Sequence, residues 1–260
     1  MEIVSMSYFY FFSLFLGFVI GSFLNVCIYR IPNQVPFFTA RSYCPQCQGL
    51  IPWNCNIPIL SYLALRGRCL ACKASIPFRY PLVEGLNGGL FVLVFFYFGL
   101  SSATLVYWLL AATLVVITFI DLDHQIIPDV ISLPGIVVGF LCSFAVPWLS
   151  WHDSLLGILA GGGSLFLVAL VYEFLTKKEG MGGGDIKLLA MLGAFLGWQS
   201  ILPIIFFSSL LGSVVGIPVM LLKKADSKLA IPFGPFLALG ALVFLFWGRM
   251  IIEWYLGFMF

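Results

Sequence analysis

Phe119-Ile120-Asp121-Leu122-Asp123 closes one long apolar run, and Gly180-Met181-Gly182-Gly183-Gly184-Asp185 opens another. Each break sets a carboxylate at the edge of a predicted membrane helix, where an ionisable side chain is costly. Such a charge needs a partner, a water-filled cavity or a chemical task, and two of them suggest an acid and a base. Around these breaks the chain is lipid-like: 62% of its 260 residues are apolar, 9% are charged, and its mean hydropathy is +1.08. That composition predicts an all-α polytopic membrane protein.

The stretch from Tyr8 to Tyr29 has the length of a membrane span, lacks a basic region before it and runs straight into more protein. It reads as a retained first helix, not a cleaved signal. Further apolar segments at 85–99, 103–120, 130–148, 154–175, 186–198, 200–222 and 232–256 bring the expectation to about eight transmembrane helices, the sixth of them short. Three parts follow: a first transmembrane helix at 1–30, a loop domain at 31–84 and a seven-helix membrane core at 85–260.

Basic residues orient the chain, because Lys and Arg concentrate in cytoplasmic loops. Arg30, Arg41, Arg66, Arg68, Lys73 and Arg79 lie at or in the first loop. Lys177, Lys178 and Lys187 flank the fifth, and Lys223, Lys224 and Lys228 sit in the seventh. With eight spans these loops share one side, so twelve of thirteen basic residues, all but Arg249, agree on a cytoplasmic long loop and outer termini. Both polar breaks then fall at the cytoplasmic face.

The long loop carries Cys44-Pro45-Gln46-Cys47 and Cys69-Leu70-Ala71-Cys72, separated by 21 residues. Thiolates so spaced can close a tetrahedral structural zinc site, and a loop with few large core side chains gains folding energy from the metal. Disulfides are the alternative, but a cytoplasmic loop is reducing. A redox CxxC normally opens a helix beside a sheet, unlike this Pro- and Gly-punctuated segment. Cys55 lacks a CxxC partner, and Cys27 and Cys142 read as small packing residues within spans.

After Asp121 the chain continues Leu122-Asp123-His124-Gln125-Ile126-Ile127-Pro128-Asp129, and Pro128 predicts a helix break. Asp123 and Asp129 read as solvent-facing or capping carboxylates, and His124 as a surface group. His152, between Trp151 and Asp153, reads as an interfacial anchor. The glycines before Asp185 allow tight bending and close approach by another chain, which suits a site admitting an extended peptide.

Peptide hydrolysis by two carboxylates needs one to deprotonate water while the other, protonated, polarises the scissile carbonyl; like charges held close achieve this by raising one pKa. Asp185 stands at a helix N-terminus and Asp121 at a C-terminus, so the macrodipoles suggest Asp185 as initial base and Asp121 as initial acid. The reading requires the third and sixth spans to meet.

These residues resemble the type IV prepilin peptidases, also called prepilin leader peptidase/N-methyltransferases, which are GxGD-type membrane aspartic proteases. The resemblance covers nearly the whole chain. It rests on Gly21-Ser22-Phe23-Leu24-Asn25-Val26, both CxxC pairs, Asn56-Ile57-Pro58-Ile59-Leu60-Ser61-Tyr62 and Arg79-Tyr80-Pro81-Leu82-Val83-Glu84. It continues through Asp121 to Asp129, Gly182 to Lys187, and Ile231-Pro232-Phe233-Gly234-Pro235.

The resemblance implies that Asp121 and Asp185 are the catalytic pair and that Cys44, Cys47, Cys69 and Cys72 hold zinc. It further implies cleavage, after a glycine, of type IV prepilin or pseudopilin leaders at the cytoplasmic face of a bacterial inner membrane. A second implied reaction is methylation of the new N-terminal amine with S-adenosylmethionine. No Rossmann fingerprint is present for that cofactor, and Glu84 and Asn25 are the polar candidates to meet it. Glu84 has a structural alternative as a cap or partner of Arg79, Asn25 as a bridge between helices, and Lys187 either tunes Asp185 or meets lipid phosphate. No nucleic-acid partner is expected.

Two other classes compete. An ion-coupled transporter using Asp121 and Asp185 predicts inverted repeats and acids deep within spans. A zinc-loop scaffold predicts acids that only pair with lysines.

Overall fold

The computed structural model describes residues 2–36, 43–44, 46–177, 182–223 and 232–259. Arg41, Lys178, Lys224 and Lys228 of the charge count, Pro45 of the first CxxC pair, Gly180 and Met181 of the glycine break, and Ile231 lie outside them. The described residues form α1 (Glu2–Arg30), α2 (Leu60–Ala64), α3 (Arg79–Phe98), α4 (Ser102–His124), α5 (Asp129–Cys142), α6 (Trp151–Thr176), α7 (Gly183–Leu196), α8 (Ile201–Lys223) and α9 (Gly234–Met259). Among them the only β-type pairings are two isolated bridges, Tyr43 with Leu50 and Arg68 with Ser75.

Every expected apolar segment carries a helix, and 6 of these are long and apolar enough to cross a membrane. The other two, α5 and α7, have 14 residues each, a rise of about 21 Å against a hydrocarbon core of about 30 Å. Several boundaries differ from expectation: the first helix already runs from Glu2 and the third span reaches His124. The second span begins at Arg79, not 85, because Pro81 falls in the first helical turn, where its missing N–H is not needed. Glu84 therefore lies inside a helix. The fourth span stops at Cys142, not 148, and the chain leaves it through tighter turns, with the Phe144 N–H donating to Leu141 O at 3.3 Å and the Ala145 N–H to Cys142 O at 2.9 Å.

The chain divides into two compact units, residues 1–116 and 117–260. In the first, α1 and α3 run antiparallel at close quarters. A Cβ on Gly17 would stand 2.7 Å from the Gly88 Cα, and one on Gly21 2.7 Å from the Glu84 Cα. Small residues permit this approach, which supplies dispersion contact where lipid offers no hydrophobic drive. The Asn87 amide donates to the Gly17 carbonyl at 2.7 Å, and Trp108 stacks on Phe91 at 5.0 Å while its indole N–H donates to the Phe91 carbonyl at 2.8 Å.

In the second unit α7 is the central helix, with Leu188, Leu189, Met191, Leu192, Ala194 and Phe195 all buried. A helix apolar on every side belongs in a core. It runs parallel to α5, whose Gly135 and Gly139 receive Met191 and Phe195, and antiparallel to α6, whose Gly157 meets the backbone of Gly193. α9 packs antiparallel on α8 through Gly240, where an added Cβ would lie 2.6 Å from Ser208 Oγ. One end of this unit carries Asp129 and Lys187; the other carries Asp153, which accepts from Trp198 Nε1 at 3.0 Å and completes the Ser150 cap of α6.

Candidate active site

Asp121 lies one turn before the end of α4, and Asp185 lies in the first turn of α7. Both belong to the second unit, and they lie near enough for the charge of Asp121 to act directly on Asp185. Asp121 is buried, and its Oδ2 accepts the backbone N–H of Gly234 at 2.9 Å. That amide is the first of α9. Each carboxyl therefore stands at a helix N-terminus, Asp185 at that of its own helix and Asp121 at that of α9. The dipole contrast that separated acid from base in the sequence is thereby offset, since Asp121 meets the end of α4 and the start of α9 alike.

The surroundings explain the local sequence. α4 ends at His124, Gln125 takes a positive φ of 54°, and Pro128 caps α5. This turn returns Ile127 against α7, where a Cβ on Gly184 would lie 2.9 Å from the Ile127 Cβ. The glycine next to Asp185 is thus a close-packing requirement. Lys187 donates to both carboxylate oxygens of Asp129 at 2.7 and 2.8 Å, tying the first turns of α5 and α7 together at the carboxylate end. Its partner is a protein carboxylate, and Asp129 is engaged there.

The four loop cysteines gather separately, in the first unit, with all Sγ atoms within 4.8 Å of one another. Two copies of one turn build the cluster. Cys44 N–H donates to Gly49 O at 3.0 Å and Gln48 N–H to Cys44 O at 2.8 Å; Cys69 N–H donates to Ala74 O at 2.8 Å and Lys73 N–H to Cys69 O at 3.1 Å. Gln48 and Lys73 both take positive φ, 54° and 59°. The backbone amides of Cys47 and Gln46 pull the Cys44 thiol down to about 6, and those of Cys72 and Ala71 lower Cys69 likewise. Cys72 also receives the Ala74 amide, yet burial and the neighbouring thiols Cys47, Cys69 and Cys44 push it up to about 11.

Thiols this crowded ionise together only around a cation. A tetrahedron of thiolates about 2.3 Å from a metal has edges of about 3.8 Å, and the Sγ atoms of Cys44 and Cys72 stand 3.8 Å apart. The cluster fits a metal ion.

Glu84 and Asn25 sit one helical turn apart on the α1–α3 interface. Glu84 is buried; its Oε2 accepts the Ile59 N–H at 2.7 Å, and it bonds the Ser22 side chain. Asn25 Nδ2 donates to the Tyr80 carbonyl at 3.1 Å and the Gly21 carbonyl at 3.4 Å. Asn25 thus bridges two helices, and Glu84 fastens the loop segment at Ile59, whose φ of 59° is unusual for a β-branched residue. Gly234 entered the sequence reading only within the Ile231–Pro235 stretch of the resemblance, with no role of its own. Its signal was a glycine between Phe233 and Pro235 at the start of an apolar run, which alone marks only a helix start.

A polytopic helical protein with two carboxyls at one end of a helix bundle, and a cysteine cluster that fits a metal, is the class this geometry defines. Residues 15–98 match the bacterial peptidase A24 N-terminal domain, and residues 108–217 match the type IV leader peptidase family. The chain is 41% identical over 270 residues to a prepilin leader peptidase/N-methyltransferase of Stutzerimonas stutzeri, covering 95% of this chain and 93% of the relative. A relative of the same name from Pseudomonas aeruginosa is 40% identical over 95% of this chain and 93% of its own length; one from Legionella pneumophila is 34% identical over 92% and 91%. The chain belongs to the type IV leader peptidase family. No solved structure matches it.

Proposed function

We propose that this chain is a membrane aspartic endopeptidase that removes the leader of type IV prepilins or pseudopilins and methylates the amine so exposed. The observation that carries the reading is the Asp121–Asp185 pair, two carboxyls from different helices within electrostatic reach, in a chain whose relatives bear that name. Asp121 and Asp185 are the proposed catalytic residues. One carboxylate takes a proton from water as it attacks the scissile carbonyl; the other, protonated, hydrogen-bonds the carbonyl oxygen as it gains charge, and proton return to the amine completes cleavage. Which of the two begins as base is left open by the Gly234 contact.

Zinc is the proposed metal for Cys44, Cys47, Cys69 and Cys72. Four thiolate ligands fill its tetrahedral shell, so its role is to hold the loop together rather than to activate water. S-adenosylmethionine is the proposed methyl donor, with Glu84 and Asn25 as the residues meant to meet it. Glu84 suits a cationic cofactor because it is buried while the donors it meets at Ile59 N–H and Ser22 are neutral. When bound, that cofactor supplies an electrophilic methyl group to the new amine.

The proposed setting is the bacterial inner membrane with the carboxylates at its cytoplasmic face and the three parts 1–30, 31–84 and 85–260 as loop and membrane domains. Dropping the short α5 and α7 as crossings would send Lys177 to the side opposite the first loop, so the charge pattern favours counting both. A prepilin has an apolar helix after its basic leader, so anchoring that helix in lipid brings the junction to the membrane edge. The test is incubation with a prepilin and S-adenosylmethionine, read by product mass. Leader loss and a methyl gain are expected; an intact precursor with purified, folded enzyme overturns the reading.

A further inference from the structure

Asp121 needs a defined orientation as well as a neighbour. A carboxyl group can rotate to present either oxygen, and a pair that shares a proton works only while one oxygen of each faces the other. Of the oxygens of Asp121, Oδ2 is held by the buried Gly234 amide at 2.9 Å. The fit has no slack: a Cβ on Gly234 would stand 2.7 Å from Oδ2, 3.2 Å from Cγ and 3.4 Å from Cβ of Asp121. Only glycine lets the first amide of α9 come this close.

The neighbouring packing holds that amide in place. Phe236 and Leu237 both donate their amides to the Phe233 carbonyl, at 3.0 and 3.1 Å, which closes the first turn of α9. The Ser208 hydroxyl on α8 donates to the Ile204 carbonyl at 2.6 Å and stands 3.0 Å from the Phe236 carbonyl. Gly240, one turn further along α9, is closed in by Ser208 Oγ and by the Ile204 carbonyl, 2.6 and 2.8 Å from an added Cβ. α8 thus fixes both the height and the rotation of α9 at the point where its amide meets Asp121.

We infer that Gly234 and the first turn of α9 are the third component of the carboxylate site, a backbone clamp that holds Oδ2 of Asp121 so that Oδ1 serves the reaction with Asp185. Gly234 is a positioning residue; it touches the catalytic carboxyl, not the substrate. The inference rests on the endopeptidase reading and adds a part to it. A charge-assisted bond from a helix N-terminus also complements any negative charge that Asp121 carries during turnover.

The experiment is steady-state cleavage of a prepilin by full-length Gly234→Ala, with Asp121→Asn and Asp185→Asn beside it. The alanine methyl forces the Asp121 carboxyl aside, so kcat falls about 100-fold, the cost of a misplacement near one ångström. KM stays within about threefold, because peptide binding is untouched. Wild-type kcat, or a loss carried by KM, overturns the inference. Should Gly234→Ala fail to accumulate, Ser208→Ala, which removes the hydroxyl beside the Phe236 carbonyl, and Phe233→Ala, which removes the ring 6.5 Å from that of Phe236, loosen the same turn without adding an atom beside Asp121. Each is expected to lower kcat severalfold at unchanged KM, and unchanged kcat in both overturns the inference. Cleavage surviving in both Asn variants would remove the endopeptidase reading and this clamp with it; cleavage lost there but kept in Gly234→Ala removes the clamp alone.

Discussion

The cysteine cluster and the carboxylate pair are built by opposite means. Each half of the cluster is built on one turn, closed between Cys44 and Gly49 or between Cys69 and Ala74, whose own backbone bonds aim its thiols. The carboxylate site takes Asp121 from α4, Asp185 from α7 and an amide from α9, residues spread over more than a hundred positions of chain. A local site survives if its turns form; a distributed one depends on every helix contact between its parts. The two should therefore fail separately.

The sharpest separation comes from the carboxylates. Asp121→Asn and Asp185→Asn are each expected to reduce prepilin cleavage by roughly 10²–10⁴-fold, while metal content stays at the wild-type level. A parallel loss of metal would show that the two sites are one cooperative structure. Conversely, Cys69→Ser is expected to abolish tight metal binding and to expose the 43–78 segment to proteolysis, because binding energy there is folding energy. Helicity of the membrane part, read by circular dichroism, should hardly change.

Acid separates them too. Cys44 is depressed to about 6 and Cys69 is also lowered. Thiolates stabilised in the fold contribute stability above their unfolded pKa, and that contribution is lost as pH falls through the folded value. Metal binding must displace the protons these thiols still carry, Cys72 above all, so metal affinity, measured with a competing chelator, is expected to fall as pH drops and to fall more steeply below about 6, where Cys44 is protonated too; an affinity independent of pH would contradict thiolate ligation.

Smaller effects probe the contacts that assemble the distributed site. Gly157→Ala places a methyl into the backbone of Gly193. It should cost about 1–3 kcal/mol of stability in detergent, with activity lost in step with folding. Smallest is Lys187→Met, which breaks a pair whose side chains are 37% and 56% exposed. Exposed ion pairs contribute about 0–1 kcal/mol, so the melting temperature should move little, and a collapse of the fold would show that the pair is a keystone of the α5–α7 contact.

This contrast also explains what could be read from sequence. The spans were legible because lipid imposes long apolar runs, and the cysteine site because its spacing is local chemistry. Asp121 and Asp185 stood out because charges near hydrocarbon are rare. The start of α3 was misread because Pro81 and Glu84 look like loop residues until one knows that the first is in an opening turn and the second is enclosed by α1. Gly234 was invisible as a site residue because its contribution is an absent side chain and a backbone amide, neither of which carries a residue-type signature. The Lys187 partner was equally hidden, since a pair 58 residues apart depends on how α5 and α7 run side by side.

The brevity of α7 has one more consequence. Its far end is pinned where Trp198 bonds Asp153, a residue type that settles at the lipid–water boundary. From there a 14-residue helix climbs about 21 Å and stops roughly 9 Å below the opposite surface of the hydrocarbon layer. A mismatch of that size favours local thinning of the bilayer over the polar start of α7. If Asp121 and Asp185 hydrolyse a peptide as proposed, water would meet Asp185 across that thinned layer.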